Sequence, residues 1–388
     1  MTDSHQWAIH SHLDIVLTVI VNTLRFTLPL LLATCLLFIL QGEIAGHTLD
    51  ADMKRTAAPV EFVKKNLQDS QINDTRGFDH VASVSNPESS SSLSYELPKY
   101  NDPYYSLQWS LIRINMVNIH AAGVGTPEIR VAILDTGIDQ DHEDLQNKVI
   151  ESINFSSSGT TYDVYGHGTH VAGIIAAEAN NGRGIAGIAP FARLLNIKVA
   201  DDRGRCESSA VAQGIIWATD HGARVINLSL EIKNPSQELQ NAIDYAWVKG
   251  AVLIAAGSNE NGEGDIYPAR YSNCIAVTAT RPNDTIGPVA AYPEWMDVAA
   301  PGFNIYSAMP GNTYGYKSGT SFATAHVSGM AALLFSLVKD DNNDGKLNDE
   351  VRFLIEKGAV PVDSGGLKRI SIFDSLTLAE SLGLILRN

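Results

Sequence analysis

The chain has 388 residues, 45% hydrophobic and 18% charged, a composition that suits a packed globular domain and excludes a disordered chain. A formal net charge of -15 leaves no excess of Lys and Arg to neutralise phosphates, so nucleic acid is excluded as a partner. Three cysteines, Cys35, Cys206 and Cys274, offer neither a disulfide framework nor a cysteine zinc site.

The first element in chain order is an apolar run from Ile15 to Leu40 with Arg25 as its single charge. Its second part, Phe26 to Leu40, has the length of a signal-peptide apolar region, and Ile44-Ala45-Gly46 offers a cleavage site that Glu43 makes imperfect. Residues 1–45 are therefore expected to be a signal peptide or, if uncleaved, a signal anchor, with a buried core helix as the bland reading. Either targeting outcome makes the protein secreted or membrane-anchored, and touching a membrane only through this segment. Residues 46–97 are polar and end in the serine-rich stretch 86–94, which reads as a leader or pro-segment.

The texture changes at about Leu97, and residues 98–388 are expected to form one domain. Ile129 to Asp135 is a short β-branched apolar run closed by Thr-Gly, as in a buried strand. Val171–Ala179 is predicted as a helix, Leu194–Val199 as a strand, and Val211–His221 as a helix. Val225–Leu230 follows as a strand, Leu239–Lys249 as a helix and Ala251–Ala256 as a strand. Such alternation predicts an α/β fold, a mostly parallel sheet with helices on both faces. Functional residues then gather at the carboxyl ends of the strands.

Three short stretches carry chemistry. Asp135 ends the strand in VAILDTGID, His167 lies in YGHGTHVAG before a helix, and Ser321 lies in SGTSFATAHVSG before another. Acyl transfer needs a nucleophile, a base for its proton and a carboxylate that holds the base in one tautomer. A serine at a helix N-terminus also sits among N–H groups that can face a developing oxyanion. Taken singly, Asp135 reads as a turn, His167 as a loop histidine and Ser321 as a cap; chance does not readily assemble all three in one chain.

With these motifs the chain resembles the subtilases, and most closely their thermitase-like branch, from about Asn101 to Gly358. The triad residues follow the subtilase order, and GIAGIAP (184–190), VINLSL (225–230), YPARYSNCIAVTAT (267–280) and WMDVAAPG (295–302) continue the likeness. The resemblance implies a subtilisin-like serine endopeptidase, with polypeptide substrates and a monomeric state. It implies that Asp135 orients the histidine, His167 is the general base and acid, and Ser321 attacks the scissile carbonyl. By register Asn259 inherits the oxyanion asparagine, although Ser258 replaces the usual preceding glycine.

The implied substrate wall runs through Ser229, Leu230 and Glu231 on one side and Ala256, Gly257 and Ser258 on the other. Glu231-Ile232 stands where the family has Gly-Gly, so the pocket is expected to be altered: either favouring a basic residue before the cut or partly closed. Ala325 replaces a usual proline, and Gly287–Ala290 a serine-containing run.

The resemblance also implies a structural calcium. Its ligands would be the side chains of Asp102, Asp144 and Asn181 and the backbone carbonyls of Glu178, Arg183 and Ile185, against a bland reading as solvated loops. A second stretch, Asp340 to Gly345, begins like an EF-hand loop with oxygens at positions 1, 3 and 5 and glycine at 6. Position 12 is Val351, with Glu350 one residue short, and Asn348 is a candidate helix cap, so an acidic linker is the competing reading.

Two rival functions stand beside the main one. Asp135-Thr-Gly with Asp363-Ser-Gly would suggest an aspartic protease, but that needs an all-β fold. A subtilase fold with a remodelled cleft would instead be a non-catalytic binding protein.

Overall fold

The computed structural model describes residues 100–116, 125, 128–259, 265–286, 295–362 and 366–386. The chain divides into two units, Met1–Thr56 and Ala57–Asn388, and every described residue belongs to the second. The apolar N-terminal run, the serine-rich leader, residues 287–290 and residues 363–365 lie outside the described residues. Within them, no helix is long and apolar enough to cross a membrane.

The described residues contain a nine-stranded sheet. Seven of its strands are β1 (Arg130–Asp135), β2 (Val149–Asn154), β3 (Arg193–Lys198), β4 (Ala223–Leu228), β5 (Val252–Ala256), β6 (Cys274–Thr280) and β7 (Val298–Pro301). They run parallel in the order 2-3-1-4-5-6-7. A short antiparallel pair extends the β7 edge: β10 (Val360–Pro361) and β11 (Lys368–Arg369). Separately, β8 (Ile305–Met309) and β9 (Thr313–Lys317) form an antiparallel hairpin.

The predicted strands and helices are all present, with ends shifted by one to three residues. After the short helix α1 (Trp109–Arg113), the helix expected to reach Ala179 is α2 (Gly168–Ala176). It stops there because Ala177 leaves helical space at φ -50, ψ 140, and the 178–185 loop begins. Edge strand β2 was not anticipated.

Alternation along β1 divides the core. Val131 and Ile133 pack on one face against α2 and α5 (Thr320–Phe335), while Ala132 and Leu134 pack on the other against α3 (Ser208–Asp220) and α4 (Gln237–Val248). Strands buried on both faces read as continuous apolar runs, which is why VAIL and VLIAA contain no polar residue. Helix α5 is buried along its whole length, and its polar side chains (Thr320, Ser321, Thr324, His326, Ser328) are bonded within the fold rather than facing water.

After β1 the chain fills β2 and β3 on one side, then crosses to β4 and the strands beyond on the other. The crevice beyond the carboxyl end of β1 is thus the switch point of the sheet, where α/β folds place their sites.

Candidate active site

Asp135 closes β1 at this switch point, 3% exposed. Its carboxylate takes His167 Nδ1 on both oxygens, at 2.8 and 2.9 Å, and the Thr136 N–H at 2.7 Å. This fixes His167 as the tautomer with Nδ1–H towards Asp135 and Nε2 free to accept a proton. Burial alone would lower the His167 pKa, but the charge and hydrogen bond of Asp135 outweigh it and raise it above the ordinary 6.5. Gly168 is needed for this approach, since a Cβ there would meet Gly137 O at 2.1 Å and Asp135 Cβ at 3.1 Å.

Ser321 is the second residue of α5 and 7% exposed. Its Oγ rests on the Ser229 carbonyl at 3.3 Å, while Ser229 Oγ donates to the Ser321 carbonyl at 2.9 Å. Asn227 and Ser328 continue the chain beneath: Asn227 Nδ2 to Ser229 Oγ at 2.9 Å and Ser328 Oγ to Asn227 Oδ1 at 2.9 Å. Phe322, the next residue, lies between His167 and His170, with ring centroids 5.3 and 4.6 Å away. The Asp–His half of the triad is therefore made, and the serine hydroxyl is held on the carbonyl of Ser229, the residue after β4.

Other nucleophiles and bases nearby are disqualified by chemistry. Cys206 lines the same 260 Å³ cavity as Asp135 and His167, but burial and then the Asp135 charge push its thiol up to about 11, keeping it protonated. His170 is buried with Nε2 on the carbonyls of Ile305 and Gly315, and burial pushes it down to about 3. It stays neutral and cannot cycle a proton near neutral pH.

Asn259 stands beside the start of α5. Its Oδ1 accepts from Thr320 N at 2.8 Å and Thr320 Oγ1 at 3.1 Å, which leaves the Nδ2 edge to donate elsewhere. Gly319, at φ 157, brings the chain close to this amide: a Cβ there would lie 3.2 Å from Asn259 Oδ1. Of the candidate cleft residues, Ala256, Gly257, Ser258 and Ser229 are buried. Gly257 is locked by Val277 and Thr320, its N–H on Val277 O at 2.9 Å and its carbonyl on Thr320 Oγ1 at 2.7 Å. Leu230 and Glu231 are half-buried and line the cavity of Asp135 and His167 with Tyr165 and Gly204. Ile232 pairs with Tyr267 through both backbone bonds, at 2.7 and 2.9 Å, so the Glu231-Ile232 replacement keeps an extended backbone.

Two supporting residues were missed in the sequence. Asp163 is fully buried and accepts from Thr136 Oγ1 at 2.7 Å, Gly166 N at 2.7 Å and Thr169 N at 2.8 Å. It holds the turn carrying His167 against the residue after Asp135. Lys198, fully buried at the end of β3, binds the carbonyls of Thr136 and Tyr162 and the Asp202 carboxylate, the last at 2.9 Å. Charge so deep in the fold survives because every bond is aimed at an oxygen.

The candidate calcium residues also converge. Asp102 accepts from the N–H groups of Asn180 and Asn181, at 2.8 and 3.0 Å. Asp144 accepts from Asn181 Nδ2, Ile185 N and the Tyr314 hydroxyl, each at 2.9 Å. Burial, then Asp144 as a neighbouring charge, raises the Asp102 pKa, although the two amide bonds oppose this. The Asn181 amide turns its nitrogen to Asp144, so a cation would require rotation to present the oxygen. Glu178 spends its carboxylate on Lys148, leaving only its carbonyl for a metal. Among the described residues no three His, Cys, Asp or Glu side chains converge on one metal position, and this loop holds two carboxylates with an amide and carbonyls. That donor set is all oxygen and fits calcium chemistry. Tyr314 is a further member that the sequence did not reveal.

Asn348 is a correction. It is the first residue of α6 (Asn348–Lys357) rather than its cap, and its side chain donates to Trp247 O at 3.2 Å.

A carboxylate-held histidine at the switch point of a doubly wound sheet, with a serine at the head of a central buried helix, defines an α/β serine hydrolase. The Subtilase family sequence model matches residues 126–370, and the chain belongs to that family. It is 42% identical to thermitase of Thermoactinomyces vulgaris over 69% of this chain and 93% of that protein. It is equally identical to a thermophilic serine proteinase of Bacillus sp. (strain AK1), over 65% of this chain, and spans 63% of that relative's length. A solved protease from Pseudoalteromonas arctica PAMC 21717 is 27% identical, with a TM-score of 0.63, covering 72% of this chain and 99% of that one.

Proposed function

We propose that the chain is a serine endopeptidase that cleaves polypeptides through an acyl-enzyme. The observation that carries this reading is the two-oxygen grip of Asp135 on His167 Nδ1, which holds the imidazole in one tautomer and leaves Nε2 as a base. In the reaction Ser321 Oγ leaves the Ser229 carbonyl, gives its proton to His167 Nε2 and attacks the scissile carbonyl. The imidazolium, stabilised by Asp135, then protonates the leaving amine. Asn259 Nδ2 and the Ser321 N–H at the head of α5 donate to the oxyanion. Water, activated by His167, hydrolyses the ester and restores Ser321.

Substrate lies along the Ser229-Leu230-Glu231 segment. The Glu231 carboxylate on the cavity wall favours a cationic side chain near the cut. Calcium, held by Asp102, Asp144 and Asn181 with the carbonyls of Glu178, Arg183 and Ile185, would fasten the 100–105 arm to the 178–185 loop. The protein acts outside the cytoplasm, exported through residues 1–45 and carrying residues 46–97 as a leader ahead of a peptidase domain at 98–388.

The deciding experiment compares wild type with Ser321→Ala on a fluorogenic peptide panel, alongside labelling by a fluorophosphonate. Turnover and labelling that both vanish in the variant support the assignment. Folded, processed wild type that neither labels nor turns over would return the chain to the non-catalytic binding reading.

A further inference from the structure

The β8–β9 hairpin borders the candidate active site, and its pleat sorts its side chains onto two faces. Tyr306 is paired with Tyr316 and Ala308 with Tyr314. On that face Tyr104 meets the rings of Tyr306 and Tyr314, with centroids 5.7 and 5.1 Å away. The other face carries the pairs Ile305 with Lys317, Ser307 with Gly315 and Met309 with Thr313. It fronts α2 and the turn that presents His167: Ser307 Oγ donates to His170 O at 2.9 Å, and a Cβ on Gly166 would lie 3.6 Å from Met309 Cε. Lys317 is thus half-buried on the side of the hairpin that looks towards His167, a few residues before Ser321. Its charge is felt at both His167 and His170, drawing the pKa of each downward.

The two buried lysines of the fold are spent on structure, Lys148 on Glu178 and Lys198 on Asp202. Among the described residues no carboxylate forms an ion pair with Lys317. What its ammonium group meets depends on where the two halves of a substrate go, and here the inference rests on the endopeptidase reading. In that reading the acyl half lies along Ser229-Leu230-Glu231. The cavity there is lined by Tyr165, Gly204, Cys206 and Glu231 beside Asp135 and His167, and its lining takes no residue from the hairpin. A peptide runs through the site in one direction, so the half that leaves as an amine cannot share that wall. It passes across Ser321 towards Phe322, whose ring packs on His167 and His170, and so towards the hairpin that holds His170.

We propose that Lys317 is a specificity-determining residue that selects substrates with an acidic side chain directly after the cut. A lysine carries its charge on a flexible four-carbon stem, so it can follow either an aspartate or a glutamate and donate a charge-assisted hydrogen bond to it. The same charge repels a lysine or arginine placed there, which sharpens the choice. With Glu231 on the acyl side and Lys317 on the leaving side, the cleft presents opposite charges to the two halves of its substrate.

The test is a set of internally quenched peptides identical up to the cut and carrying Asp, Glu, Ala or Lys directly after it, with the cleaved bond checked by mass spectrometry. In wild type, kcat/KM for Glu over Lys is expected to be about three- to tenfold at low salt and to shrink as salt is added. Lys317→Met should bring the ratio to about one, Lys317→Glu should invert it, and Lys317→Arg should keep it. Each ratio is taken within one enzyme, so a change in overall activity cancels. Wild type that cleaves the set at rates independent of the residue after the cut overturns the proposal and leaves the peptidase reading standing. So does a preference that survives Lys317→Met. Wild type that cleaves none of the peptides and takes no fluorophosphonate overturns the peptidase reading, and this proposal with it.

Discussion

Asp163 gives the sharpest test of how the proposed catalytic histidine, His167, is positioned. Asp163→Asn preserves the shape and keeps one oxygen for Thr136 Oγ1 and Gly166 N, but it turns an NH2 group toward the Thr169 N–H. One charge-assisted bond, about 1.5–3 kcal/mol, is lost, and a buried donor is left facing another, a further ~1–3 kcal/mol. Relief from burying a carboxylate offsets part of this. The net expectation is a destabilisation of about 2–4 kcal/mol. Urea unfolding on the Ser321→Ala background at fixed calcium measures it. Thr136→Ala removes the hydroxyl that bonds both Asp163 and Gly168 N, the latter at 3.0 Å. The double mutant should therefore be non-additive by about 1 kcal/mol or more. With Ser321 present, kcat should fall roughly 10- to 100-fold with little change in KM, because His167 loses alignment rather than substrate contact. A loss below about 0.5 kcal/mol with additive effects is ordinary surface behaviour and would refute the reasoning.

Three further outcomes are expected. Asn259→Ala should lower kcat about 10²- to 10³-fold at near-constant KM in steady-state assays; this range is that of the corresponding donor in subtilisin, a member of the family, rather than one worked from these distances. Because Nε2 must be unprotonated to act and Asp135 raises the His167 pKa, the acid limb of kcat/KM should lie above pH 6.5 and move downward in Asp135→Asn, seen as residual activity across pH. Calcium removal, or Asp144→Asn, should lower the melting temperature. Calcium affinity should fall on acidification sooner than for ordinary carboxylates, since the Asp102 pKa is raised and its protonation ejects the ion; calorimetry at stepped pH reads this.

The candidate trio was legible because each member sits in a local setting that the proposed chemistry calls for: a strand end before Thr-Gly, a histidine followed by glycine, and a serine heading a buried helix. Asn259 was readable only by register along β5, since an asparagine in a polar loop carries no signature of its own. Asp163 was invisible for the opposite reason. It lies in the run Ser-Gly-Thr-Thr-Tyr-Asp, and no spacing there shows that this carboxylate folds under the next turn while its neighbours stay at the surface. Strand β2 was readable and missed: Val149-Ile-Glu-Ser-Ile-Asn alternates through burial, as an edge strand does.

The β8–β9 hairpin, silent in the sequence, joins the calcium-type loop to the catalytic centre. Tyr314 on β9 donates to Glu143 and Asp144, each at 2.9 Å, and Thr313 O meets His142 Nε2 at 3.0 Å. On the other side of the hairpin, Ile305 O and Gly315 O hold His170, and Ser307 Oγ donates to His170 O at 2.9 Å. His170 lies one helical turn beyond His167 and packs on Phe322, which follows Ser321. Lys317, at the hairpin's end, also acts on the His167 charge, lowering its pKa against the pull of Asp135. The hairpin thus contacts both the Asp144 loop and the helix that carries His167. A cation bound in that loop would support alignment of the candidate active site as well as stability of the arm it bound, through contacts that the side chains of β8 and β9 already make.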